Sequence, residues 1–103
     1  MYKLEVLPVA KEDMVEIVRY ISKDRKNPAT AKTLSDALFA AMESVTEFPY
    51  ANPAYAPIRP LRFEYRKMMV KNYLMLYRVD EQKKTVTVSR VIYAKRDYGR
   101  FLG

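Results

Sequence analysis

The side chains of this 103-residue chain that offer chemistry are cationic and phenolic. Histidine and cysteine are both absent. That excludes imidazole bases, thiolate nucleophiles, disulfides and any metal site built on Cys or His. Lys, Arg and Tyr remain, and they are concentrated in one half. Residues 51–103 hold 12 Lys/Arg against 4 Asp/Glu, whereas residues 1–50 hold 7 against 8. The basic half also carries 8 of the 13 aromatic residues. A surface mixing cations with rings suits a polyanion with stackable bases, or an acidic protein partner. Tyr93 and Tyr98 lie beside Lys95 and Arg96 in sequence and are the rings best placed for such a surface. The basic half is short of acids for a carboxylate-only metal site, so neither metal nor cofactor is expected.

The elements that must position these groups are legible from periodicity. Tyr2, Leu4 and Val6 alternate with Lys3 and Glu5, which reads as a strand closed by Pro8. From Ala10 the period changes. Met14, Ile17, Val18 and Ile21 form a helical stripe, with Glu12, Asp13 and Glu16 expected in the first turns, where the helix dipole favours anions. Asn27-Pro28 reads as a cap and first helical residue. Leu34, Leu38, Met42 and Val45 carry the second stripe, extended by Phe48 until Pro49 stops it. Two helices with a short link form an antiparallel hairpin. Four prolines between residues 49 and 60 make a stiff surface loop.

Three strands follow. Residues 63–71 place Met68 and Val70 inward, Lys71-Asn72 is a turn, and residues 73–79 are apolar enough for a central strand. Residues 80–84 make a polar hairpin loop. In residues 85–93, strict alternation puts Val86, Val88, Arg90 and Ile92 on one side. It puts Thr85, Thr87, Ser89, Val91 and Tyr93 on the other. The five other methionines besides Met1 read as core filler. The order β-α-α-β-β-β gives an α+β fold of two layers, an antiparallel helix hairpin on antiparallel sheet strands. Length and composition indicate one domain over residues 1–103. The chain begins without a signal peptide and has no apolar run long enough to span a membrane, so a soluble cytoplasmic protein is expected.

This order and charge split resemble the RelE/ParE family of toxins from type II toxin–antitoxin modules, over nearly the whole chain. The resemblance rests on Asp24 to Ala31 with its Asn27-Pro28 link, on Val70 to Val79 ending Tyr77-Arg78-Val79, and on Arg90 to Tyr98 with its Arg96-Asp97 pair. It implies a growth-inhibiting toxin neutralised by a cognate antitoxin through a flexible acidic or amphipathic segment. It implies DNA gyrase as target if ParE-like, or the ribosome and its mRNA if RelE-like. The family is also tied to plasmid stabilization.

For a RelE-like member the resemblance implies metal-free attack of the ribose 2′-OH on phosphate, which needs proton transfer and cations around the transition state. Arg96, Lys67 and Tyr98 are then the catalytic candidates, and Lys71, Arg78, Tyr93 and Lys95 the candidates for binding target or nucleic acid. Two departures move weight toward the gyrase-type reading. Leu74 follows Tyr73 where an Arg commonly follows in RelE-like members, and the histidine of other nuclease members is missing. A plain nucleic-acid-binding module is a third reading. Plainer roles stand beside these. Arg66, Lys67 and Lys71 can simply guard a sheet edge. Arg78 can pair with Asp80 or Glu81, and Arg90 with a helix carboxylate such as Asp13 or Glu16. Tyr73 and Tyr77, on the most apolar strand, read as packing residues. The cations of the basic half are expected to gather on a single patch.

Overall fold

The computed structural model describes residues 1–54 and 63–95. Strand β1 (Lys3–Val6) leads into helix α1 (Pro8–Arg19), which passes into a π-helical turn over Tyr20–Asp24. Helix α2 (Pro28–Glu47) follows, and then β2 (Arg66–Val70), β3 (Tyr73–Asp80) and β4 (Thr85–Tyr93). The four strands form one sheet in the order β1-β4-β3-β2. β2, β3 and β4 are antiparallel neighbours, as short loops require. β1 lies parallel to β4, with Lys3 opposite Thr85 and Val6 opposite Val88, so the sheet is mixed. The two helices cover one face, and the α+β two-layer expectation holds.

Local signals account for the helix ends. Asn27 caps α2 by accepting from the Thr30 N–H at 3.2 Å, with Pro28 at the first helical position. Ala31, Leu34, Leu38, Ala41, Met42 and Val45 then bury one face of α2 against the sheet. Phe48, expected to extend that stripe, sits past the helix end and is exposed. α1 begins at Pro8, earlier than expected, so its first turn holds no acid. Asp13 is therefore free for another task than the helix dipole.

That task concerns the edge of β4. The Leu7 N–H donates to the Val88 carbonyl at 3.0 Å, and the chain then turns away into α1. The Val91 N–H, farther along β4, would otherwise lack a partner among the described residues. Asp13 supplies one: its carboxylate accepts from Val91 N at 3.0 Å, from Arg90 Nε at 2.7 Å and from Arg90 Nη2 at 2.8 Å. The side chains are only 12% and 20% exposed. A bidentate, charge-assisted pair so shielded is far stronger than a surface ion pair. Asp13 also holds the Arg90 guanidinium even more firmly protonated than usual, with partial burial opposing.

Just before Arg90 the β3–β4 register shifts, from Tyr77 opposite Val88 to Leu76 opposite Arg90. Ser89 is thus an extra residue, a β-bulge. Strict alternation fails there, because one added residue flips every side chain beyond it. Val91 joins Val86 and Val88 on the helix side, and Ile92 moves to the opposite face with Leu74 and Leu76. Met69 corrects another expectation: it is exposed, on that opposite face, while Met75 and Met42 fill the core. Tyr77 is a fully buried packing residue whose hydroxyl donates to the Pro49 carbonyl at 2.7 Å and accepts from Asn52.

Replacing Asp13 by Ala removes the acceptor shared by the Arg90 guanidinium and the Val91 N–H. Asp13→Ala and Arg90→Ala should each lower unfolding free energy by about 2–3 kcal/mol. The double variant should lose clearly less than the sum of the two. Urea titration of the three variants checks this, and strict additivity would mean the pair contributes nothing.

Candidate functional site

Among the described residues three surfaces are left for function: the sheet face away from the helices, the sheet end at Asn72 and Tyr93, and the groove between the helices.

The open face takes its side chains from register. Lys67 pairs with Leu76 and Met69 with Leu74, so Lys67, Met69, Leu74, Leu76 and Arg78 point to the same side. Its centre is apolar. Leu74, Leu76 and Ile92 are buried there, and Tyr65 packs against them. Cations stand at the periphery. The Arg78 guanidinium lies over the Phe63 ring, 4.0 Å from the centroid, and makes no ion pair with Asp80 or Glu81. Beside Arg78 a cleft of about 600 Å³ is lined by Glu5, Glu64, Asp80 and Glu81 against Arg66, Arg78 and Lys83. Four carboxylates facing three cations do not make a phosphate cradle.

At that end of the sheet one carboxylate gathers three donors. Glu81 accepts from the hydroxyls of Tyr2 and Tyr50 and, at 2.6 Å, from the Lys84 ammonium. Lys84, then Tyr2 and Tyr50, hold its carboxyl down from 4.5 to about 2. The same bond pushes the Tyr50 hydroxyl up to about 12. The cluster ties the first strand and the segment after α2 to the β3–β4 hairpin.

The other candidates lie elsewhere. Lys71 is exposed on the β2–β3 turn, and Lys95 is exposed just past β4. Tyr93 is the last residue of β4 and stands opposite Tyr73. From Arg78 to Tyr73 is five residues, or about 17 Å of strand. The four described cationic candidates therefore form two groups, Lys67 with Arg78 and Lys71 with Lys95, rather than a single patch. Alternation along strands and antiparallel register impose that division. Arg96 and Tyr98 lie outside the described residues. Arg90 belongs to the fold rather than to a site.

The third surface was not anticipated. Between α1 and α2 runs an apolar groove of about 720 Å³, lined by Met14, Val15, Val18, Leu38, Phe39 and Met42, with Lys11, Arg19 and Lys23 among its lining residues. Phe39 is 62% exposed and Val15 53%. The signal was present: Val15 with Val18, and Phe39 with Met42, make a second apolar strip beside each core stripe.

A hairpin of helices on a small mixed sheet, with an apolar groove and cations outside the core, defines a small two-layer α+β fold. The profile of the family described as "ParE toxin of type II toxin-antitoxin system, parDE" matches residues 4–98, and the chain belongs to that family. No curated protein sequence matches it. Solved structures show the same fold. The chromosomal ParDE system of Pseudomonas aeruginosa aligns with a TM-score of 0.70 at 14% identity, over 92% of this chain and 98% of that one. The intact Escherichia coli RelBE complex gives 0.58 at 19%, over 93% and 100%. The RelBE2 complex of Mycobacterium tuberculosis gives 0.59 at 18%, over 89% and 96%. No helix among the described residues is long and apolar enough to cross a membrane.

Glu81 sets a pH prediction. Its folded-state value lies below its unfolded one, so its bonds stabilise the fold above about pH 4.5 and are lost as pH falls toward about 2. The urea midpoint should drop through that window, and Glu81→Gln should flatten the drop. An unchanged pH profile in the variant would remove Glu81 from the account.

Proposed function

We propose that this toxin arrests growth by binding DNA gyrase, and that a cognate antitoxin neutralises it by seating an amphipathic helix in the groove between α1 and α2. The observation that carries the binding reading is Leu74. It stands in the middle of the open face, buried with Leu76, Ile92 and Tyr65. An apolar centre cannot hold a scissile phosphate, and the cations nearest it are peripheral. The family match is to ParE toxins, which agrees with inhibition by binding.

The antitoxin reading rests on the groove and on two of the neighbours, the RelBE and RelBE2 structures, which are solved as toxin–antitoxin complexes. An amphipathic helix reads such a groove through i, i+3, i+4 and i+7 anchors. Acidic residues flanking those anchors would meet Lys11, Arg19 and Lys23, and a disordered segment can order itself on contact.

The second reading is ribosome-dependent mRNA cleavage, supported by Lys67 and Arg78 sharing the open face. In that case Lys67, Arg96 and Tyr98 carry the chemistry, with Lys71, Arg78, Tyr93 and Lys95 binding. The two readings separate cleanly. Purified toxin should block gyrase supercoiling and leave mRNA intact in a translating extract. Cleavage that disappears in Lys67→Ala or Arg96→Ala would replace the gyrase reading.

For the groove, Phe39→Glu should weaken antitoxin binding roughly thirtyfold or more, as loss of an exposed aromatic anchor does. Growth arrest by the toxin alone should persist. Titration calorimetry with the antitoxin, alongside growth curves, measures both. An unchanged antitoxin affinity would move the docking site off this groove.

A further inference from the structure

Three tyrosines meet at the sheet end where the helix hairpin turns. Tyr73 and Tyr93 stand opposite each other on β3 and β4, centroids 5.8 Å apart and planes at 65°. Tyr20 comes from the π-helical turn. With Ile21, Arg25, Asn27, Thr30 and Asn72 they line a cleft of about 620 Å³. Tyr20 and Tyr93 are 48% and 41% exposed, a large aromatic area for residues in no ion pair or apolar core. Burial by neighbours raises the Tyr73 hydroxyl above its ordinary value.

The π turn is what brings a cation to the rings. In an α-helix Tyr20 would share its face with residues 23 and 24. Here the Arg25 N–H donates to the Tyr20 carbonyl at 3.0 Å, an i→i+5 bond, and Arg25 instead lines the cleft with Tyr20. Two further cations flank it in costly backbone. Lys26 and Lys71 have φ of 51° and 56°, a region where glycine is the cheapest residue. They immediately precede Asn27 and Asn72 of the cleft. Lys95 follows next to Asn72, whose carbonyl accepts from the Ala94 N–H at 2.9 Å. An adjoining hollow shares the three tyrosines and contains Asp13 and Glu16, but Asp13 is neutralised by Arg90.

We propose that this cleft binds a segment of single-stranded nucleic acid, with bases on Tyr20 and Tyr93 and phosphates near Arg25, Lys71 and Lys95. Exposed rings stack any base, and cations beside them track the backbone. The mixed lining argues against an apolar peptide, which the groove between the helices suits far better. The site lies on the helix side of the sheet, at the end away from Arg78, and is separate from the open face. The inference goes beyond growth arrest or antitoxin capture and is tested without either.

The test is fluorescence anisotropy of the full chain with labelled ten-nucleotide oligo-dT and oligo-U at low salt. Binding should weaken steeply as salt rises. Tyr93→Ala and Tyr20→Ala should each weaken it about tenfold, while Tyr93→Phe, which keeps a stacking ring, should retain it. Lys71→Gly removes a cation and relieves the backbone, so weaker binding with an undiminished urea midpoint would be specific. Lys83→Ala, in the acid-lined cleft at the far end of the sheet, should leave binding unchanged. Equal affinity for DNA and RNA supports readout of base and phosphate, and tighter RNA binding supports it with a 2′-OH contact added. No binding of either oligonucleotide overturns the proposal, as does binding that Lys83→Ala removes and Tyr93→Ala spares. Growth arrest that survives such a failure leaves the toxin reading intact.

Discussion

The carboxylate of Asp13 is the constraint on which the rest of this structure depends. β1 is four residues long and β4 is nine, so β4 outruns its parallel neighbour. Backbone donors on that bare edge would face either water or another chain's strand. Asp13 takes the Val91 N–H and, by the same carboxylate, anchors Arg90. It thereby fixes α1 across the end of the sheet. Both helix-side features follow from that position: the groove α1 shares with α2, and the π turn that carries Tyr20 to Tyr73 and Tyr93.

Much of this was open to a reader of the sequence, and the failures share a physical cause. Asn27-Pro28 announced the start of α2 because capping is local chemistry. Residues 85–93 were recognisable as a strand because β-branched residues run almost unbroken through them. The faces of that strand were not recoverable past Ser89, since a bulge is set by the partner strand and leaves no mark on the bulged strand's own period. The acids of α1 misled for the same reason. Their proximity to the helix start suggested the dipole, whereas Asp13 answers a vacancy on β4, 77 residues from Arg90 in sequence. Arg90 was also readable as a partner for Asp13 or Glu16, although from an inward placement that the bulge at Ser89 undoes.

The site was less legible than the fold. Composition reported a basic half but could not say how a sheet would distribute it. Lys67 and Arg78 share a face by parity, while Lys71 and Lys95 share an end because both turns lie there. What composition hid was the acid content of the basic half's neighbourhood. Glu5 comes from β1 and joins Glu64, Asp80 and Glu81 around Arg78. A cleft of near-balanced charge has little long-range field to draw in a polyanion.

That balance bears on how one scaffold can serve different targets. Cleavage of a phosphodiester needs several cations converging on one point in a site that excludes water. Leu74 and Ile92 are buried together at the centre of the open face, an apolar surface that disfavours such convergence there. Binding has no such requirement. It can use peripheral cations, exposed rings and an apolar groove on separate sides of the molecule, each contacting a different partner. If the antitoxin seats in the helix groove as proposed, the sheet end stays open, and the two surfaces need not compete by overlap.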